Sequence, residues 1–146
     1  MKNQMELTFT AMAQNEAFAR MVVSAFMMQA NPTLSIVAEV RTAVSEAVTN
    51  AIVHAYGERA DGRVILRAAL EEDRLIVEVE DAGCGIADIA QAMTPFYTSQ
   101  PEKERSGMGF SLMQSFMDGV EVFSEPGSGT RVRMIKLLCG GDCDVL

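Results

Sequence analysis

The feature that most constrains this chain is a run of apolar residues after Thr33: Val37, Val40, Val44, Ala47, Val48, Ala51, Ile52 and Ala55. They recur every three or four positions and stop at Tyr56-Gly57, which predicts a helix about six turns long with one buried face. Such a face needs a second layer to lie on, and the period-two segments supply it. Met5, Leu7 and Phe9 alternate with Glu6, Thr8 and Thr10, the pattern of a half-buried strand. Gly62 to Leu70 and Arg74 to Glu80 read as a hairpin around Glu71-Glu72-Asp73, with Asp81 just past its end. Val120 to Ser124 and Thr130 to Leu138 read as a second hairpin around Pro126-Gly127-Ser128-Gly129.

Two further helices complete the order. One starts at Asn15 as N-cap, carries Phe18, Met21, Val22, Ala25 and Phe26 on its apolar side, and stops at Asn31-Pro32. The other runs from Phe110 to Met117, directly behind Gly107-Met108-Gly109. Strand, two helices, two strands, loop, helix, two strands predicts an α+β two-layer sandwich: a mixed, mostly antiparallel sheet with its helices on one face. With 146 residues the chain has room for a single domain, expected over 1–138, and the tail 139–146 is expected to fray. Ala87 to Ser106, with two prolines and a charge cluster from Glu102 to Arg105, is the segment expected to act as a lid.

Composition excludes several partners and compartments. Twelve Lys plus Arg against twenty Asp plus Glu give a net charge of −8, a poor match to a phosphate backbone, so no direct nucleic-acid partner is expected. Cys84, Cys139 and Cys143 fit neither a disulfide framework nor a four-ligand zinc site. The first residues lack a basic cluster followed by an apolar run, and no stretch reaches a membrane span, so the expectation is a cytoplasmic chain, complete as it stands and without membrane contact.

Three spots carry chemistry. Glu46 and Asn50 lie four apart on the long helix and project from one stripe, with His54 a turn further. A carboxylate can accept a proton there, and an amide oxygen can ligate Mg²⁺; the alternative is a solvated polar face. Asp81-Ala82-Gly83-Cys84-Gly85-Ile86 follows a strand, and its glycines permit a turn in which backbone can pass close to a flat ring while a carboxylate can accept from an exocyclic amine. A turn of no function would look similar. Gly107-Met108-Gly109 opens a helix, whose free N–H groups attract phosphate, although glycines at helix starts are common.

In their order these segments resemble the boxes of the ATP-binding superfamily shared by gyrase, histidine kinases, a heat-shock chaperone and mismatch-repair ATPases. Glu46 to Ala51 is similar to the N box, Asp81 to Ile86 to the first glycine box, Gly107 to Phe110 to the second, and Gly129-Thr130 to a further Gly-Thr element. The resemblance implies ATP and Mg²⁺ as cofactors. It makes Asp81 the acceptor for the adenine amine with Gly83 and Gly85 beside it, Thr130 its support, and Asn50 the metal ligand. Gly107 with Gly109 would let the lid and helix wrap the triphosphate, with Ser106, Met108 and Phe110 beside them. Arg105 is read separately as reaching the γ-phosphate on lid closure, the alternative being a solvated cation paired with Glu102 or Glu104.

Glu at position 46, where histidine kinases usually carry Asn, resembles the serine-kinase and hydrolysing branches and makes Glu46 the catalytic base. The short chain is most similar to the bacterial anti-sigma factor and serine kinase group, in particular its sporulation members. That implies a homodimer which captures an RNA polymerase sigma factor and phosphorylates a serine of an anti-anti-sigma antagonist. The alternative is a nucleotide-gated binding module of the general-stress type without significant kinase activity. Arg20, on the first helix, is read as a partner contact; otherwise it is a solvated edge residue.

Overall fold

The computed structural model describes residues 2–55, 62–86 and 109–138, with positions 54 and 55 as backbone. β1 (Lys2–Thr10) leads into α1 (Gln14–Met27), a single 3-10 turn (Met28–Ala30) and α2 (Leu34–Asn50), which continues as a π-helical turn over Ala51–Ala55. β2 (Arg63–Glu71) and β3 (Arg74–Asp81) form the first hairpin. α3 (Gly109–Phe116) and the hairpin of β4 (Gly119–Glu125) and β5 (Gly129–Leu137) complete the described elements. The strand order is β1-β2-β3-β5-β4. Every pairing among the described residues is antiparallel, so the parallel element implied by a mixed sheet is not seen there.

The core lies between the helices and one face of the sheet. Phe9, Val64, Leu66, Leu70, Val77, Val79, Val132 and Met134 point into it from the strands, and Val40, Val44, Ala47, Val48 and Ile52 meet them from α2. The opposite face stays charged through cross-strand pairs: Arg67 bridges Glu6 at 3.1 Å and Glu80 at 2.6 Å, and Arg131 reaches Glu78 at 3.3 Å. Thr33 caps α2, its hydroxyl accepting from Ile36 N at 3.2 Å. Asn31, in the left-handed region at φ 54°, turns the chain between the helices.

Several expectations are corrected. Asn15 is not the N-cap of α1; the cap is Ala13, and the Asn15 amide donates to Thr10 O at 2.8 Å, because the exit from β1 brings that carbonyl within reach. The buried stripe of α1 is Ala19, Val23, Phe26 and Met27, while Phe18 and Met21 are 51% and 62% exposed. Two stripes of similar period compete on this helix, and the one with Ala19 and Val23 permits the close approach to α2. The long helix keeps α-geometry only to Asn50, about five turns, and its expected end at Tyr56-Gly57 lies outside the described residues. Asp81 is the last residue of β3 rather than the first beyond it. The expected lid from 87 to 106 and the tail from 139, with Cys139 and Cys143, also lie outside the described residues.

Candidate functional site: a carboxylate and amide facing a glycine helix start

α2 delivers Glu46 and Asn50 from its C-terminal turns, both half-buried, and α3 packs against α2 so that its first residue, Gly109, faces them. A Cβ on Gly109 would stand 3.2 Å from Asn50 Nδ2, 3.3 Å from Asn50 Oδ1 and 3.4 Å from Glu46 Oε2. The glycine thus leaves both side chains open to the helix start. Phe110 is buried next to it. The π turn that follows Asn50 packs on β3 and β5 and links this cluster to a second one at the strand ends.

In that second cluster, Asp81 and Thr130 are direct cross-strand partners, and both fall on the helix side of the sheet. Asp81 is 9% exposed. Burial pushes its carboxyl above the ordinary value; the N–H of Gly83, 2.9 Å from Oδ1, and the backbone of Thr130 pull it down, and the charge of Glu80 adds a further upward push. The loop after Asp81 is clamped onto the second hairpin. Gly127 N donates to Cys84 O at 2.7 Å, and Ile86 N donates to Ser124 Oγ at 2.7 Å. Gly85 adopts φ 75°, and a Cβ there would collide with the carbonyl of Glu125. Backbone of two loops therefore passes at a distance only glycine allows.

The donors present fit a Mg-nucleotide. Asp81 is a buried acceptor for an N–H-bearing base, and Asn50 offers a neutral oxygen of the kind Mg²⁺ takes alongside phosphate oxygens. Among the described residues no three His, Cys, Asp or Glu side chains gather into a metal cage.

The structure brings Glu46, Asn50, Gly109 and Phe110 together, and Asp81, Gly83, Gly85 and Thr130 together. Arg105, Ser106, Gly107, Met108 and the His54 side chain lie outside the described residues. Arg20 pairs with Glu16 at 3.4 Å, and it shares with Arg41, Thr42, Ser45 and Glu46 an open cleft of about 400 Å³ between α1 and α2. That puts Arg20 on the same surface as Glu46, which its position in the sequence does not suggest.

Two residues went unread. Ser124 sits in the loop clamp, and Lys136 is buried at 8% exposure. The inward parity Val132, Met134, Lys136 in β5 is the sequence signal that would have flagged the lysine; Ser124 has none.

A five-stranded antiparallel sheet backed by helices defines the class of fold, and comparison with known proteins names it. The chain belongs to the histidine kinase-like ATPase domain family, which its residues 9–136 match. Within that family it is 51% identical over 138 residues to the anti-sigma F factor of Pasteuria penetrans, covering 94% of this chain and 92% of that one. It is 47% identical over 138 residues to the anti-sigma F factor of Bacillus subtilis, covering 94% of each. Among solved structures it superposes on the RsbU and RsbW domains of Rv1364c from Mycobacterium tuberculosis with a TM-score of 0.68 at 18% identity, over 93% of this chain and 32% of that longer one. The catalytic domain of histidine kinase ThkA gives a TM-score of 0.56 at 11% identity, over 93% of this chain and 96% of that one. Both show the shared fold.

Proposed function

We propose that this chain is an anti-sigma factor that captures an RNA polymerase sigma factor, of the sigma-F type named in its relatives, and that it acts in sporulation. We further propose that it is an ATP- and Mg²⁺-dependent serine kinase acting on a serine of its anti-anti-sigma antagonist. The observation that carries the reading is the placement of Glu46: its carboxylate faces Gly109 beside Asn50 and also lines the cleft that holds Arg20. One side of this carboxylate meets the helix start that suits phosphate, and the other meets a surface open to a protein.

Bound Mg-ATP supplies the transferable γ-phosphoryl group and ADP as its leaving group. Asp81 accepts from the exocyclic amine of the base, with Gly83 N–H orienting the carboxylate and Thr130 beside it. Asn50 Oδ1 holds the metal. The N-terminal turn of α3, at Gly109 and Phe110, receives phosphate through its N–H groups, with Arg105, Ser106, Gly107 and Met108 as the remaining phosphate contacts. Glu46 takes the proton from the antagonist serine as its oxygen bonds to phosphorus. A nucleotide clamp without transfer has no use for that base. Arg20 docks the protein partner, and a homodimer in the cytoplasm is the working form.

The test is incubation of the purified chain with labelled ATP, Mg²⁺, a sigma factor and its cognate antagonist. Label on an antagonist serine is expected. Nucleotide-dependent sigma binding without any transfer would overturn the kinase assignment and leave a gated binding module.

A further inference from the structure

Ser124 is an ordinary strand residue by sequence, yet its hydroxyl gathers three polar groups. It accepts from Ile86 N at 2.7 Å, donates to Gly129 O at 3.0 Å, and lies 2.8 Å from the hydroxyl of Thr130. A serine hydroxyl has one proton and two lone pairs. With its proton on Gly129 O and one lone pair on Ile86 N–H, the remaining lone pair is open to the Thr130 proton. That arrangement makes all three bonds. The reverse one, with Ser124 donating to Thr130, gives up the bond to Gly129 O. In the favoured arrangement the Thr130 proton is taken, so its hydroxyl oxygen has lone pairs alone to offer, and Thr130 is the cross-strand partner of Asp81 on the same face of the sheet.

We propose that Ser124 is a specificity-determining positioning residue: by holding the Thr130 proton it turns Thr130 into an acceptor beside Asp81, so this end of the site selects a nucleoside triphosphate whose base carries an exocyclic amine over one with a carbonyl there. The inference rests on the nucleotide reading of the site. Two acceptors match the two hydrogens of an amine, whereas a carbonyl oxygen meets only lone pairs, and a buried polar group left unpaired discriminates strongly. A Thr130 hydroxyl released from Ser124 can rotate and donate, which removes the discrimination.

The experiment is calorimetric titration of the full chain with ATP and with inosine triphosphate, which has a carbonyl at the amine position and a proton on the adjacent ring nitrogen. Ser124→Ala is expected to lower the ATP/ITP affinity ratio about tenfold, and Ser124→Thr, which keeps the hydroxyl, to restore it. In a Thr130→Val background, Ser124→Ala should change the ratio no further, since the two substitutions act through one hydroxyl. A Ser124→Ala chain that weakens both nucleotides equally, or leaves the ratio unchanged, overturns the proposal while the nucleotide reading stands. Failure of the unmutated chain to bind ATP overturns both. Should Ser124→Ala not fold, the unmutated chain decides by NMR: a Thr130 hydroxyl proton protected from exchange and correlated with the Ser124 β-protons is expected, and one exchanging as freely as a surface threonine's refutes it.

Discussion

Asn50 and Gly109 stand so close that a single methyl group on the glycine would sit 3.2 Å from the asparagine amide. The contact is tighter than a relaxed side chain accepts, so Gly109→Ala must displace Asn50 by a few tenths of an ångström. Alanine favours the helix by up to about 1 kcal/mol, which offsets the crowding. Gly109→Ala should therefore leave urea stability within about 1 kcal/mol while Mg-ATP affinity falls about tenfold, about 1.4 kcal/mol. Calorimetry with and without Mg²⁺ checks it, and a normal Mg-dependent affinity would separate Asn50 from the metal.

Asp81→Asn should weaken ATP by roughly 1–3 kcal/mol, the cost of disturbing a buried hydrogen bond to a charged group. The same substitution tests the acid's burial. Because burial raises the native pKa above its ordinary 3.8, the native state binds more protons than the unfolded chain between those values. Asp81 therefore contributes stability that is complete below the ordinary value and lost as pH rises through the raised one. Urea denaturation at successive pH values should show Asp81→Asn gaining on the unmutated chain across that window, and a constant difference would remove the burial effect.

Glu46→Gln keeps size and hydrogen bonding but cannot take a proton. Nucleotide and sigma binding should persist while serine phosphorylation drops by roughly 10² to 10⁴. Transfer at the normal rate would end the role of Glu46 as base.

Lys136 fixes the far end of α3. Its Nζ donates to Phe116 O at 2.6 Å and pairs with Glu39 of α2 at 3.3 Å, so a cation closes the helix C-terminus and ties it to the helix carrying Glu46. Lys136→Met keeps the stem and removes the charge. It should cost roughly 1.5–3 kcal/mol in urea denaturation, and a loss under about 0.5 kcal/mol, the scatter of ordinary surface changes, would show the tie to be idle.

Both hairpins and the stripe of α2 were legible because alternation and helical period are local signals. The face of α1 was not, since Phe18 with Met21 and Ala19 with Val23 both recur at helical spacing and only the neighbouring helix selects between them. The π turn after Asn50 leaves no mark either: Ala51-Ile52-Val53-His54-Ala55 is an acceptable α-helical sequence. The spacing argument that carried the polar stripe to position 54 therefore holds only to Asn50. At the candidate site, spacing placed Glu46 and Asn50 on one stripe and Asp81 at a strand end, while Ser124 owes its place to contacts 38 residues away in sequence.

The antiparallel order of the sheet also bears on how the chain is made. Asp81 finds Thr130 only after about 50 more residues have left the ribosome, and domains generally fold as units from the N-terminus during synthesis. The Asp81 carboxylate is thus translated well before the hydroxyl and loop clamp that lie beside it. A chain interrupted before the second hairpin can present Glu46, Asn50 and Asp81 and still lack that end of the pocket. On the proposed nucleotide reading, capture of ATP would report that translation has passed β5.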